Sequence, residues 1–324
     1  MGNSLYTVAH MKLSQHDFLY RQPGFWLRVI CLAAALPVVG CTGSIPKTPD
    51  DLVVSESVQY CAGMVNGQPQ PLLLDVARPK DQSKDLPVIL LVHGGGWVGG
   101  SRTDYRFMQN ALAQQQMVAI SIEYRLAPDS TFPAQIEDVK CAVRWVRENA
   151  PKYRMNTRRV VAMGASAGAH LVALLGTTQG MPQFEGSGGH PHQSSAIDAM
   201  VLNGGPYSLG PLAREMIARP TADSAASLKA ISMLLGGNTD PSSKAYIDSS
   251  PATYVSPKSV PTLLLHGQND VVVPNSEAVR FGALLRSKGV SSDVLIMDGA
   301  GHGDFGNNPD PVVEKLLSFI KGAY

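Results

Sequence analysis

The chain has 324 residues, 44% of them hydrophobic, with 27 Lys and Arg against 26 Asp and Glu. That length and apolar share exclude a disordered chain and allow one large or two small domains with ample core. A net charge of +1 gives no footing for nucleic-acid binding, and no CxxC or HExxH spacing points to a metal.

In chain order, the first element expected is an export signal over residues 1–40. Arg21 and Arg28 precede the apolar stretch 29–39, which Gly40-Cys41 ends. A basic region followed by so short an apolar run reads as a signal peptide rather than a membrane span. Val38-Val39-Gly40-Cys41 resembles a bacterial lipobox, which implies cleavage before Cys41 and its acylation. Thr42 beside it then favours the outer membrane, with membrane contact only through that lipid anchor. An ordinary secretory signal with a chance cysteine is the alternative, and Met11 is an alternative start. Tyr6 stands where a myristoylation signal needs Ser or Thr. Residues 41–51, with Pro46 and Pro49, read as a tether, and 52–324 as the main domain.

Two strands are predicted at 52–60 and 71–78 around the turn Asn66-Gly67. Pro87-Val88-Ile89-Leu90-Leu91-Val92 is a continuous apolar run, as a strand buried on both faces requires. It ends in His93-Gly94-Gly95-Gly96-Trp97. A helix at 104–115, a strand at 117–122 and a helix at 134–149 follow. Ile136, Val139, Val143 and Val146 form the apolar stripe of that helix, with Cys141 and Trp145 off it. The next strand, 159–163, runs into Gly164-Ala165-Ser166-Ala167-Gly168 and a helix. Residues 179–195 are rich in Gly, Ser and His and are expected to be a mobile surface loop, His190 and His192 included. After a strand at 198–203, residues 206–250 interrupt the alternation with one helix expected at 224–235. Strands at 260–266 and 293–297 end in turns that present Asp270 and His302, and helices at 275–288 and 310–322 complete the chain.

Strand, sharp turn and helix around Gly-x-Ser-x-Gly is the context of a nucleophile elbow. A serine hydroxyl is a poor nucleophile until an imidazole takes its proton, and a carboxylate fixes the imidazole tautomer. Ser166, Asp270 and His302 come in the chain order Ser, Asp, His. Three successive glycines leave amide N–H groups uncovered. Those of Gly95 and Gly96, with that of Ala167, are read as donors to a developing oxyanion, and Gly94 as support for the turn.

At these motifs the chain resembles the α/β-hydrolase superfamily, in its HGGG-type esterase branch. Tyr124-Arg125-Leu126-Ala127-Pro128, with Phe132-Pro133-Ala134 and Asp138, is similar to hormone-sensitive-lipase-like esterases. The stretch from Ser250-Pro251-Ala252 through His266-Gly267-Gln268-Asn269-Asp270 to Gly299-Ala300-Gly301-His302-Gly303 is similar to the BD-FAE-like family, which contains acetyl-xylan and feruloyl esterases. Gly168-Ala169-His170 also occurs in arylformamidases and prenylcysteine methylesterases. The resemblance covers roughly 55–322. It implies an α/β-hydrolase fold of about eight mostly parallel strands with helices on both faces. The insertion at 206–250 follows a strand's carboxyl end, where such sheets bind ligands, and reads as a small cap that shapes the acyl or alcohol pocket.

Among the other histidines, His170 lies one helical turn below Ser166 and reads as a core residue. His93 reads as an organiser of its own loop, and His266 as a brace of the turn before Asp270. Asp298 and Asp304 stand too near His302 in sequence to orient it, and Asp240 is a weak rival within the insertion. Glu123 and Asp138 read as partners of the Tyr124-Arg125 segment. Cys61 and Cys141 are expected either as a disulfide or as two buried thiols. The reading is a serine esterase for small carboxylic esters of acetyl or feruloyl type, with no cofactor. An amide hydrolase of arylformamidase type keeps the same triad. A non-catalytic binding lipoprotein is the reading from another class, and it would be expected to have lost a triad member.

Overall fold

The computed structural model describes residues 49–322; the expected export segment, Cys31, Cys41 and the start of the tether lie outside them. The elements are β1 (Leu52–Val65), β2 (Gln68–Pro79), β3 (Leu86–Val92), α1 (Arg106–Gln114), β4 (Val118–Ile122), α2 (Ala134–Glu148), α3 (Ala150–Tyr153), β5 (Met155–Ala165), α4 (Ala167–Thr177), β6 (Ala199–Asn203), α5 (Leu209–Ala218), α6 (Ala222–Leu234), α7 (Lys244–Asp248), β7 (Thr262–Gly267), α8 (Ser276–Ser287), β8 (Ser292–Met297) and α9 (Pro309–Gly322). They form the expected α/β-hydrolase fold. One eight-stranded sheet runs in the order β1-β2-β4-β3-β5-β6-β7-β8. The first three strands of that order pair antiparallel and the others parallel.

The opening hairpin is longer than expected. Asn66 and Gly67 both take positive φ, 49° and 75°, which is the two-residue turn whose twist matches paired strands. The apolar runs behave as buried parallel strands should, with side chains alternating between the two faces. On β3, Val88, Leu90 and Val92 join the cluster that α2, α4 and α8 cover. Ile89 and Leu91 join the cluster beneath α1 and α9, with Leu112, Leu316 and Ile320. Burying each large side chain stabilises by roughly 1.5–3 kcal/mol, so the two clusters hold a helix layer on each face.

Four expectations change. Helix α2 is buried on nearly every side rather than along one stripe; Lys140, Cys141, Arg144 and Trp145 are all covered. The covering segment is 179–195, which lies against the helix instead of standing free. Its Glu185 pairs with Lys140 at 2.8 Å and with Arg144 at 2.8 Å, and Phe184 is buried. His190 and His192 stay at the surface. The insertion at 206–250 holds three helices, α5, α6 and α7, where one was expected. Finally, Glu123 pairs with Arg102 rather than with Arg125, while Asp138 accepts from Arg125 as expected.

Cys61 on β1 and Cys141 on α2 are joined by a disulfide that spans 80 residues of sequence and ties the edge hairpin to the helix layer. Closing so long a loop removes unfolded-state entropy, with about 2–4 kcal/mol the usual gain. The paired substitution Cys61→Ala with Cys141→Ala is therefore expected to lower the melting temperature by roughly 5–15 °C. Differential scanning calorimetry of the two proteins checks this, and identical melting would remove the bond from the stability account.

Candidate active site

The strand order reverses direction at β3, whose neighbours are β4 and β5. Loops leaving the carboxyl ends of such strands diverge and leave a crevice, the usual ligand site of an open α/β sheet. Val92 at the end of β3 pairs with Gly164 on β5. The triple-glycine loop and Ser166 therefore emerge side by side.

Ser166 sits at φ 53° and ψ −122°, a region that costs a non-glycine residue about 1–3 kcal/mol. The surroundings enforce it. Its N–H donates to Asn203 O on β6 at 2.8 Å, and its own carbonyl accepts His170 N–H at 3.1 Å as α4 begins. Close packing allows the tight reversal. A Cβ on Gly168 would collide with the Val92 carbonyl, and one on Gly164 with the Gly168 carbonyl. Both elbow glycines are thus required by contact.

Asp270 follows β7 and His302 follows β8. These strands are neighbours, with Gly267 opposite Met297. The three residues meet. His302 Nδ1 lies 2.7 Å from Asp270 Oδ2, and His302 Nε2 lies 2.9 Å from Ser166 Oγ. A carboxylate can only accept, so Nδ1 carries the proton and the Nε2 lone pair faces the serine hydroxyl. The Asp270 side chain is fully buried and that of His302 is 8% exposed. Burial alone would push the Asp270 carboxyl up. Hydrogen bonds from His266, His302 and the Val273 N–H outweigh it and hold the group well below the usual carboxylate range. These contacts favour the carboxylate form.

Gly95 takes φ 102°, and its carbonyl accepts Val98 N–H and Gly99 N–H at 3.1 Å each. That folds the loop on itself. Among the described residues, the amides of Gly94, Gly95, Gly96 and Ala167 donate to no acceptor in the chain. Gly94 and Gly95 line the cleft with Ser166. Gly96 instead stands where a Cβ would come 3.3 Å from Ala230 Cβ on α6. His93 orders this loop as expected. It stacks on Tyr124 at 4.2 Å, its Nδ1 lies 2.8 Å from Gly94 O, and Tyr124 donates to His93 O at 3.0 Å. Trp97 anchors the loop's far end, donating from Nε1 to His170 Nδ1 at 3.3 Å.

The cleft has a volume of about 410 Å3 and is lined on its apolar side by Tyr105, Met108, Met163 and Phe305. Polar atoms come from Asp104 and Asn203. Asn203 is 2% exposed; its Nδ2 donates to Gly303 O at 3.4 Å, while Oδ1 has no partner. Among the described residues, those lining this cleft come from outside 206–250. The other rivals are structural. Asp304 accepts from Gly301 N–H and Gly306 N–H and shapes the His302 loop, and Asp240 closes a turn with Ser242. Tyr105, Met108, Phe305 and Asn203 were not picked out from the sequence, where they read as ordinary apolar and strand-end residues.

Three comparisons bear on this site. The BD-FAE family model matches residues 74–285. Esterase LipC of Mycobacterium tuberculosis is 36% identical over 236 residues, covering 71% of this chain and 56% of that protein. The chain spans about half the length of the curated relatives it matches. Among solved structures, a truncated carbohydrate esterase from gut microbiota superposes with a TM-score of 0.72 at 25% identity, covering 84% of this chain and 96% of that one. Propionate-bound esterase 2 of Thermogutta terrifontis superposes with a TM-score of 0.63 at 25% identity, covering 86% and 94%.

His170 supports the triple-glycine loop as a neutral ring. Its Nδ1 accepts from Trp97, so Nε2–H donates to Ser249 O at 2.7 Å. Burial pulls its pKa from 6.5 down to about 4. The folded value is depressed, so the linked stability is present above 6.5 and lost as pH falls towards 4. Between pH 7.5 and 4.5 the wild type is expected to lose about 2–3 kcal/mol more than His170→Gln. Urea unfolding at the two pH values measures it, and parallel losses would show that His170 does not titrate in this way.

Proposed function

From the chain's membership of the BD-FAE family of α/β-hydrolases, we propose that it is a carboxylic ester hydrolase working through an acyl-enzyme on Ser166. The observation that carries this reading is the unbroken line from Asp270 Oδ2 through both nitrogens of His302 to Ser166 Oγ, at 2.7 and 2.9 Å. The names of the relatives, esterases of LipC and carbohydrate-esterase kind, agree with it.

In this mechanism Ser166 Oγ attacks the ester carbonyl as His302 Nε2 takes the hydroxyl proton. Negative charge passes to the carbonyl oxygen, which lies where the Gly94–Gly96 loop and the Ala167 N–H at the start of α4 offer uncommitted donors. Of the loop amides, Gly95 is the first candidate, because Gly96 stands against α6. Collapse of the tetrahedral intermediate breaks the bond to the leaving oxygen, and His302 returns the proton to the alcohol. Water then attacks the acyl-serine with His302 again as base, releasing the acid and restoring the hydroxyl. Asp270 stays ionised throughout and stabilises the imidazolium. No cofactor is needed for this sequence of steps.

The substrates proposed are small carboxylic esters of acetyl or feruloyl type. The cleft volume and the likeness to the propionate-bound esterase support small esters. Export through residues 1–40 and acylation of Cys41 at the outer membrane complete the proposal, on the strength of the lipobox resemblance.

Two measurements test the chemistry. Ser166→Ala and His302→Ala are each expected to cut kcat by roughly 10⁴–10⁶ with an unchanged fold. Retention of a tenth of the activity by either protein would sink the mechanism. On aryl esters of graded chain length, activity is expected to be highest from acetyl to butyryl and to fall steeply beyond. Faster hydrolysis of a C12–C16 ester than of the acetate would make the enzyme a lipase instead.

A further inference from the structure

The Asp270 carboxylate has a second imidazole on it. His266, one residue before the end of β7, is wholly buried and points Nε2 at two oxygens: Val273 O at 2.9 Å and Asp270 Oδ2 at 3.2 Å. Among the described residues its Nδ1 has no partner. A nitrogen facing two acceptors carries the proton, so His266 is the Nε2–H tautomer and its Nδ1 lone pair is left unmatched. An unmatched buried nitrogen is a cost, and an apolar ring or chain would fill the same space without it. What an apolar residue cannot supply is the N–H.

That N–H closes a small circuit. Asp270 Oδ1 accepts from Val272 N–H and Val273 N–H at 2.9 Å each. The Val273 carbonyl in turn accepts from His266, whose ring also touches Oδ2. Both carboxylate oxygens are thereby fixed by the frame before His302 is counted. Asp304 anchors the backbone of the His302 loop, but the imidazole itself meets only Asp270 Oδ2 at 2.7 Å and Ser166 Oγ at 2.9 Å among the described residues. The His302 ring takes its aim from Oδ2.

We infer that His266 is a positioning residue for the reaction, which holds Asp270 Oδ2 where it directs His302 at Ser166. This rests on the triad reading above and deepens it. A residue with this role acts only through Asp270. A residue that merely packs the end of β7 would matter whether or not Asp270 is present.

The test is a double-mutant cycle on the full chain with p-nitrophenyl acetate. His266→Asn keeps an amide but withdraws it from Oδ2, whereas His266→Gln can place its amide nitrogen where Nε2 stood. His266→Asn is expected to lower kcat roughly 10- to 100-fold with KM changed less than about twofold. His266→Gln should recover most of that loss. In the Asp270→Ala background, His266→Asn should cost less than about a further twofold. Wild-type kcat in His266→Asn, or the same fold-loss in both backgrounds, overturns the inference. Melting curves accompany each protein. Should His266→Asn not fold, His266→Leu fills the site without a donor and is read by the same criteria. Ser166→Ala runs alongside. If it stays active, the triad reading itself has failed; if it is dead while His266→Asn is normal, only the role of His266 has.

Discussion

Everything at this site depends on one strained residue being held in place. Ser166 at positive φ pushes its hydroxyl out of the sheet and starts α4 in the same stroke. The strain persists because the backbone on either side has nowhere else to go. The Asn203 carbonyl takes its amide, and Gly168 lies in van der Waals contact with the Val92 carbonyl. The cost, about 1–3 kcal/mol, is small beside the burial of α4, whose apolar residues are covered along its whole length. The helix cannot relax the turn without lifting off the sheet.

That geometry also explains why residues 136 positions apart in the chain touch. The carboxyl ends of β3, β5, β6, β7 and β8 lie in lateral sequence along one edge. They carry in turn the glycine loop, Ser166, Asn203, Asp270 and His302. The sheet twist brings the ends of neighbouring strands towards a common crevice. Only short loops are then needed to close the last few ångströms, and Asp304 and the Val272 and Val273 amides fix two of those loops from inside.

Much of this was legible in the sequence, because a parallel strand buried on both faces leaves an apolar run and its end marks a loop that can carry chemistry. The runs before Gly94, Ser166, Asp270 and His302 all announced themselves in this way. What was not legible depends on a second layer packing over the first. Lys140 and Arg144 look like the solvated side of an amphipathic helix, and only the position of Glu185 shows that they are buried. The disulfide was left open because spacing alone contains no distance. His266 was read as a brace of its turn, and it is one through Val273. Its contact with Asp270 could not be read, since both residues belong to a single turn whose shape the sequence does not specify.

The insertion at 206–250 packs into a different core cluster from the cleft's apolar side. Its position after β6 suggests a wall for the cleft, yet Leu209, Ile231, Leu234 and Tyr246 belong to the cluster on the α2 and α4 face. The cleft's apolar side is built from Met108, Met163 and Phe305, which belong to the opposite cluster. The insertion therefore approaches the glycine loop rather than the apolar side of the cleft. Ala230 stands against Gly96, and Leu234 O accepts the Phe132 N–H. A segment so placed bears on the shape of the proposed oxyanion loop rather than on the bulk of the substrate. Changes at Ala230 should then act on turnover, where the loop's amides matter, more than on the choice of acyl chain, which Met108 and Phe305 face directly.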